Sequence, residues 1–236
     1  MKKLALTTVC ALAVTGAAFA QGTLNWSTVS PAAMTARTNS TAYSPLFGGG
    51  SAVGGAVGAV GASGTIGLGY YYELLYTSFS GSQATVGSLA SLLSWQDTGL
   101  TATNGSFAGF VTTVNPNAAA SVSGWANGTT NSIVLVGWSA NLGTSWGVVS
   151  NELANWSSDQ IANAFFGVSA TGYINPNLAP AGGATLFGTA ASANGLPINS
   201  LNTSLFLLPT VPEPATMALM GLGGLGLVLF RRQRKS

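Results

Sequence analysis

Four carboxylates, Glu73, Asp97, Glu152 and Asp159, are the only acidic side chains between residues 21 and 210. Two of them facing each other at about 5–9 Å would suit glycoside cleavage, one as acid and the other as nucleophile or base. Calcium is the other use for such a set, with amide and backbone oxygens completing the roughly 6–8 ligands it takes. The acids are spread from position 73 to position 159, however, and no D-x-D-x-D-G loop gathers them. Surface or helix-capping charge is therefore the simplest expectation for all four.

Other chemistries fail on composition. The chain has no histidine, its single cysteine is Cys10, and no lysine occurs between residues 4 and 234. A Ser-His-Asp triad, a Cys-His pair and a Ser-Lys pair thus have no members to draw on in that region. Zinc held by imidazole or thiolate is excluded in the same way. The sequence leads us to expect no catalytic residues, no metal and no cofactor.

The elements that would position these acids read as mainly β. Tyr70 to Tyr76 and Ile133 to Trp138 are rich in aromatic and β-branched residues, which suits buried strands. Trp146, Val149, Leu153 and Trp156 form one stripe of an amphipathic helix over Thr144 to Trp156. Val86, Leu89 and Leu93 form a similar stripe within Ser82 to Trp95. Ser82 would cap the first helix, and Thr144 or Ser145 the second. Asn127-Gly128 between alternating residues predicts a hairpin. Further strands are expected at Ser121 to Trp125, Thr185 to Thr189 and Leu201 to Leu208, with short strands and turns in 21–47.

Residues 70–117 and 133–177 read as two diverged copies of a unit about 60 residues long, each closing on Asn-Pro-Asn. Between Gly48 and Gly69, glycine recurs often enough to suggest collagen, but the segment has no proline and only five triplets. It lacks the Lys and Ser/Thr of a phosphate-binding loop too. A loop leading into a small-residue strand near Thr65 to Leu68 is the expectation. Together these features predict an α+β, mainly β fold: an antiparallel sheet or sandwich-like domain with two short amphipathic helices. Six tryptophans invite a sugar-stacking reading. Most suit a core, and the polar neighbours of Trp26 and Trp125 make those two the candidates for exposed glycan contact.

Charge separates the ends from the middle. The whole chain carries +2, yet residues 21–210 hold one cation, Arg37, against the four acids, a net −3. A basic nucleic-acid footprint is absent there. Met1-Lys2-Lys3, an apolar run from Leu4, and Ala18-Phe19-Ala20 before Gln21 have the form of a secretory signal peptide, 1–20, cleaved between Ala20 and Gln21. Cys10 lies inside that run with Thr7, not Leu, three residues before it, so it is no lipoprotein cysteine. The exported domain, 21–210, would then contain no cysteine and no disulfide.

At the other end, Val211-Pro212-Glu213-Pro214 precedes an uncharged run, Ala215 to Phe230, and then Arg231, Arg232, Arg234 and Lys235. The run would span about 24 Å as a helix, slightly short of a hydrocarbon core of about 30 Å. The basic cluster predicts a cytoplasmic C-terminus, with the bulk of the chain across the inner membrane. Gly221, Gly223, Gly224 and Gly226 contain no pair four residues apart, so no GxxxG dimer motif is present.

This order of parts resembles the PEP-CTERM sorting signal of Gram-negative bacteria, over residues 211–236 alone. Leu208-Pro209-Thr210-Val211 lacks the Thr and Gly that a sortase LPxTG signal requires at its fourth and fifth positions. The resemblance implies export by the general secretion machinery, and processing at or near Pro212, Glu213 and Pro214 by an exosortase, a membrane-embedded transpeptidase or protease-like enzyme. It also implies an envelope, cell-surface or matrix destination in an exopolysaccharide and biofilm setting. A structural or adhesive protein is the function expected, with a carbohydrate-binding module and a carboxylate-dependent glycoside hydrolase as alternatives.

Overall fold

The computed structural model describes residues 21–25, 35–52, 57–59, 69–105, 107–113, 120–126, 128–176, 183–199 and 203–210. The predicted signal helix, the Thr65–Leu68 strand, Trp26 and the predicted membrane span all lie outside these residues. Among the described residues no helix is long and apolar enough to cross a membrane.

The strands are β1 (Gln21–Asn25), β2 (Ala36–Tyr43), β3 (Val57–Ala59), β4 (Tyr70–Ser78), β5 (Gln96–Asn104), β6 (Val111–Thr113), β7 (Ala120–Ala126), β8 (Asn131–Ser139), β9 (Phe165–Val168), β10 (Gly172–Ile174), β11 (Ala184–Thr185), β12 (Gly195–Leu196) and β13 (Thr203–Leu207). Two α-helices occur among the described residues, α1 (Leu89–Leu93) and α2 (Trp146–Ala154). The large sheet runs β3-β2-β13-β9-β8-β4-β5-β6, and β10 and β12 attach beside β8. It is mixed rather than purely antiparallel, because β13 lies parallel to β2. It also curls: Thr35 bridges Phe110, and Ala36 N–H donates to Gly109 C=O at 2.8 Å, joining the β2 side to the β5–β6 tip.

Strand β8 explains the layering. All nine of its residues are buried, the pattern of a strand covered on both faces. Ile133 and Leu135 join one core with Tyr72, Leu74, Val122, Trp125 and Leu205, under the small sheet β11-β1-β7. Val134, Val136 and Trp138 join a second core with Leu92, Trp146, Val149, Leu153 and Trp156, under the helices. The architecture is therefore sandwich-like, with helices added on the outer face of the large sheet.

The α2 stripe is as expected, since Trp146, Val149, Leu153 and Trp156 are all buried. The first helix is shorter than expected and starts later. Its cap is Ser88, not Ser82: Ser88 Oγ accepts from Ser91 N–H at 3.2 Å, while Ser91 Oγ accepts from Ser88 N–H at 3.1 Å. Each serine satisfies a donor that the helix end leaves open. Replacing Ser88 by Ala should cost about 1 kcal/mol, seen as a lowered urea midpoint with an unchanged slope.

The expected hairpin at 127–128 is corrected. Thr129 N–H does donate to Ala126 C=O, and Gly128 takes φ +81°, so the chain turns there. The flanking strands do not pair, however: β7 joins β1 in the small sheet and β8 joins the large one. This turn is a corner between layers, which local turn chemistry alone does not distinguish from a hairpin.

Candidate functional site: a buried glutamate and the C-terminal exit

Two of the four acids meet on the helix-covered face of the sheet. Strand β4 places Glu73 on the same side as Leu75, and Leu75 stands opposite Asp97 on β5. Between these positions the ladder breaks, with one residue of β4, Leu74, facing three of β5. Gly99 there adopts φ +70°, the left-handed region that glycine enters without strain. Asp97 Oδ1 accepts from Gly99 N–H at 2.6 Å, and Thr98 Oγ1 donates to Leu74 C=O at 2.6 Å. Such a bulge re-aims side chains, and here it leaves Asp97, itself exposed, close enough to Glu73 to act on its carboxyl.

Glu73 is only 4% exposed, so of the two expected roles, surface or helix-capping charge, it has the second and not the first. Its Oε2 accepts from Trp146 N–H, the first amide of α2, at 3.1 Å. The flanking Ser145 makes no side-chain cap hydrogen bond, so a carboxyl from a strand 73 residues earlier takes that role. Burial pushes the Glu73 carboxyl up to about 8, reinforced by the hydrogen bond and charge of Asp97 and opposed by the Trp146 amide. Aromatic rings keep the region dry: Trp146 lies 6.0 Å from Trp138 and 6.3 Å from Phe166, and Trp138 stacks on Tyr71 at 6.5 Å.

Glu73 is closed off from solvent and committed to the Trp146 amide, whereas Asp97 is exposed at the start of β5, so the two do not flank an open cleft as a glycosidase pair would. Glu152 is half-buried on α2 and Asp159 is exposed in the turn beyond it. No group of three or more Asp, Glu, His or Cys side chains stands together among the described residues.

Trp125 is corrected as well. It is 1% exposed, stacks on Tyr76 at 5.2 Å, and donates from Nε1 to Thr129 C=O at 2.9 Å. Its neighbours Ser123, Gly124 and Ala126 face outward while Val122 and Trp125 face in, because Gly124 at φ +79° breaks the strand's simple alternation. No face of this indole is open to a sugar.

The C-terminal end of the domain is tied down residue by residue. Leu207 C=O accepts from Ser44 N–H at 2.9 Å, and Leu208 N–H donates to Ala164 C=O at 2.8 Å. Pro209 C=O then accepts from Trp156 Nε1 at 2.8 Å. Leu208 is buried and Thr210, where the described residues end, is exposed. Sequence patterns predicted the strand and the helix stripe but not this contact, because nothing local signals that an indole will reach a carbonyl 53 residues away. At the other end β1 starts at Gln21, the first residue after the expected cleavage point; Ala18 and Ala20 lie outside the described residues.

The fold thus defines an exit: a folded β domain in which, among the described residues, Pro209 is the last with a main-chain hydrogen bond to the rest of the domain. The family model of the PEP-CTERM protein-sorting motif matches residues 210–235, beginning at the next residue. The tail is a PEP-CTERM sorting motif, which implies export, a C-terminal membrane-anchor tail and an exosortase as the processing enzyme. Searches of curated proteins and of solved structures gave no match to the chain. Pro212, Glu213, Pro214, Arg231, Arg232, Arg234 and Lys235 all fall within the matched tail and outside the described residues.

Proposed function

We propose that this chain is a non-enzymatic surface or matrix protein of a Gram-negative bacterium, exported through the inner membrane and processed by an exosortase at or near Pro212-Glu213-Pro214. The precursor spans the membrane once, with Arg231, Arg232, Arg234 and Lys235 on the cytoplasmic side. The domain 21–210 serves as a structural or adhesive component in an exopolysaccharide or biofilm setting. The observation that carries this reading is the sorting motif at 210–235, joined without a linker to a folded domain. A domain with one cation, four acids and no His or Cys supports the non-enzymatic role.

The carbohydrate-binding alternative loses Trp125 to the core and would rest on Trp26. The hydrolase alternative is weakened at Glu73, which is buried and accepts from the Trp146 amide.

Replacing Pro212 and Glu213 together by Ala should leave the full-length precursor in the membrane fraction. Immunoblots of fractionated cells, with mass spectrometry of the released C-terminus, would read this. Release of the double variant at the wild-type rate and size would overturn the assignment.

A further inference from the structure

We propose that the folded domain controls access to its own processing motif, with Trp156 as the positioning residue that holds the chain three residues before Pro212. This rests on the exosortase reading above and adds a step to it.

Pro209 has no N–H, so its carbonyl is its only main-chain hydrogen-bonding group, and Trp156 Nε1–H takes it. The indole is itself fixed: it is 5% exposed, packs edge-on to Phe47 at 6.0 Å, and ends the buried stripe of α2. Leu208 is 1% exposed and bonded to Ala164, and Leu207 is bonded to Ser44. Only Thr210 and Val211 separate Pro209 from Pro212. Three Cα steps reach at most about 11 Å.

An enzyme that binds an extended chain across its active site takes residues on both sides of the bond it breaks. Four residues upstream in extended form occupy about 14 Å. Those upstream of Pro212 are Leu208, Pro209, Thr210 and Val211, so half of that stretch is held inside the domain. The domain is also bulky, with a radius of gyration of about 16 Å expected for its length. It cannot follow its last residue into a cleft at the membrane surface.

Productive engagement therefore requires Leu208 and Pro209 to leave Ala164 and Trp156. That opening is local, since β13 up to Leu207 keeps its own pairing with β2 and β9. Processing should proceed only as often as this end of the strand lifts away, which makes Trp156 a determinant of rate.

The test is pulse-chase measurement of precursor conversion in cells carrying the full-length chain. Four forms are compared: wild type, Trp156→Phe, an eight-residue Gly/Ser spacer between Thr210 and Val211, and spacer plus Trp156→Phe. The phenylalanine keeps an aromatic ring against Phe47 but has no donor, so the open fraction should rise about two- to ten-fold and conversion with it. The spacer leaves every described residue in place and should speed conversion at least as much. In the spacer background Trp156→Phe should add nothing, an absence of effect that a merely destabilising substitution would not produce.

An unchanged or slower rate with the spacer would overturn the proposal. A faster spacer form with Trp156→Phe at the wild-type rate would overturn the role of Trp156. Failure of the underlying reading has a different signature, conversion of the Pro212 and Glu213 double variant at the wild-type rate.

Discussion

Alanine in place of Gly167 should leave the domain unable to fold. Gly167 sits in β9 with β13 alongside, and an added Cβ there would collide with Ser204 C=O, reach Ser204 C at 2.8 Å and Leu205 Cα at 2.9 Å. All three obstacles are main chain, so no rotamer change relieves them, and β13 would have to separate from β9. Overpacking that side chains can absorb costs about 1–3 kcal/mol. A main-chain collision at the centre of the sheet lies beyond that, against a total stability of about 5–15 kcal/mol. Loss of the near-ultraviolet dichroism of the buried tryptophans would report it. Gly147→Ala is the companion measurement: nothing stands within 4 Å of its added Cβ, and it lies in α2. It should gain up to about 1 kcal/mol. A folded Gly167→Ala protein of wild-type stability would overturn the close approach of β9 and β13.

Glu73→Gln should stabilise the protein at alkaline pH and change little in acid. The Glu73 carboxyl is raised from 4.5 to about 8 in the folded state. Below 4.5 both folded and unfolded chains carry its proton, and the stability it contributes is fully present. As pH climbs toward 8, the unfolded chain releases the proton while the folded one keeps it, and stability falls by about 1.4 kcal/mol per pH unit at most. Over the window the loss is on the order of a few kcal/mol.

Glutamine imitates the protonated acid: its carbonyl accepts from Trp146 N–H at every pH, and it carries no charge to bury. Urea midpoints at pH 5, 7 and 9 should therefore decline for the wild type and decline less for the variant, with the two nearly equal at pH 5. A wild-type midpoint that rose from pH 5 to pH 9 would be incompatible with the buried Glu73 carboxyl.

The contrast between Glu73 and Trp156 shows where sequence reading ends. Strands β4 and β8 stood out because Tyr70 to Tyr76 and the run from Ile133 are apolar and β-branched, and α2 because its stripe recurs at three and four residues. Strand β5, Gln96–Asn104, was not expected: its polar and small residues offer little period, and β4 and β6 hold it in the sheet. The burial of Glu73 had a local signal, since it is flanked by Tyr72 and Leu74 in an otherwise apolar strand. Its partners had none, because a bulge at Gly99 and the first amide of a distant helix supply them. The sorting tail lies at the opposite extreme. It works as a linear signal, so order and composition are enough to read it, and its family match agrees with that reading.

Strand β13 gives the exported chain a timetable. It lies between β2 from the start of the domain and β9 from its latter half, parallel to the first and antiparallel to the second. A chain crossing a membrane N-terminus first delivers β2 and β9 long before the strand that joins them. Until then both present unpaired main-chain edges of the kind that invites aggregation. Assembly must wait for contacts between residues far apart in sequence, which places the domain among slow folders. The piece that closes the sheet emerges last, immediately ahead of the sorting tail, so maturation of the domain and arrival of its address at the membrane become a single event in time.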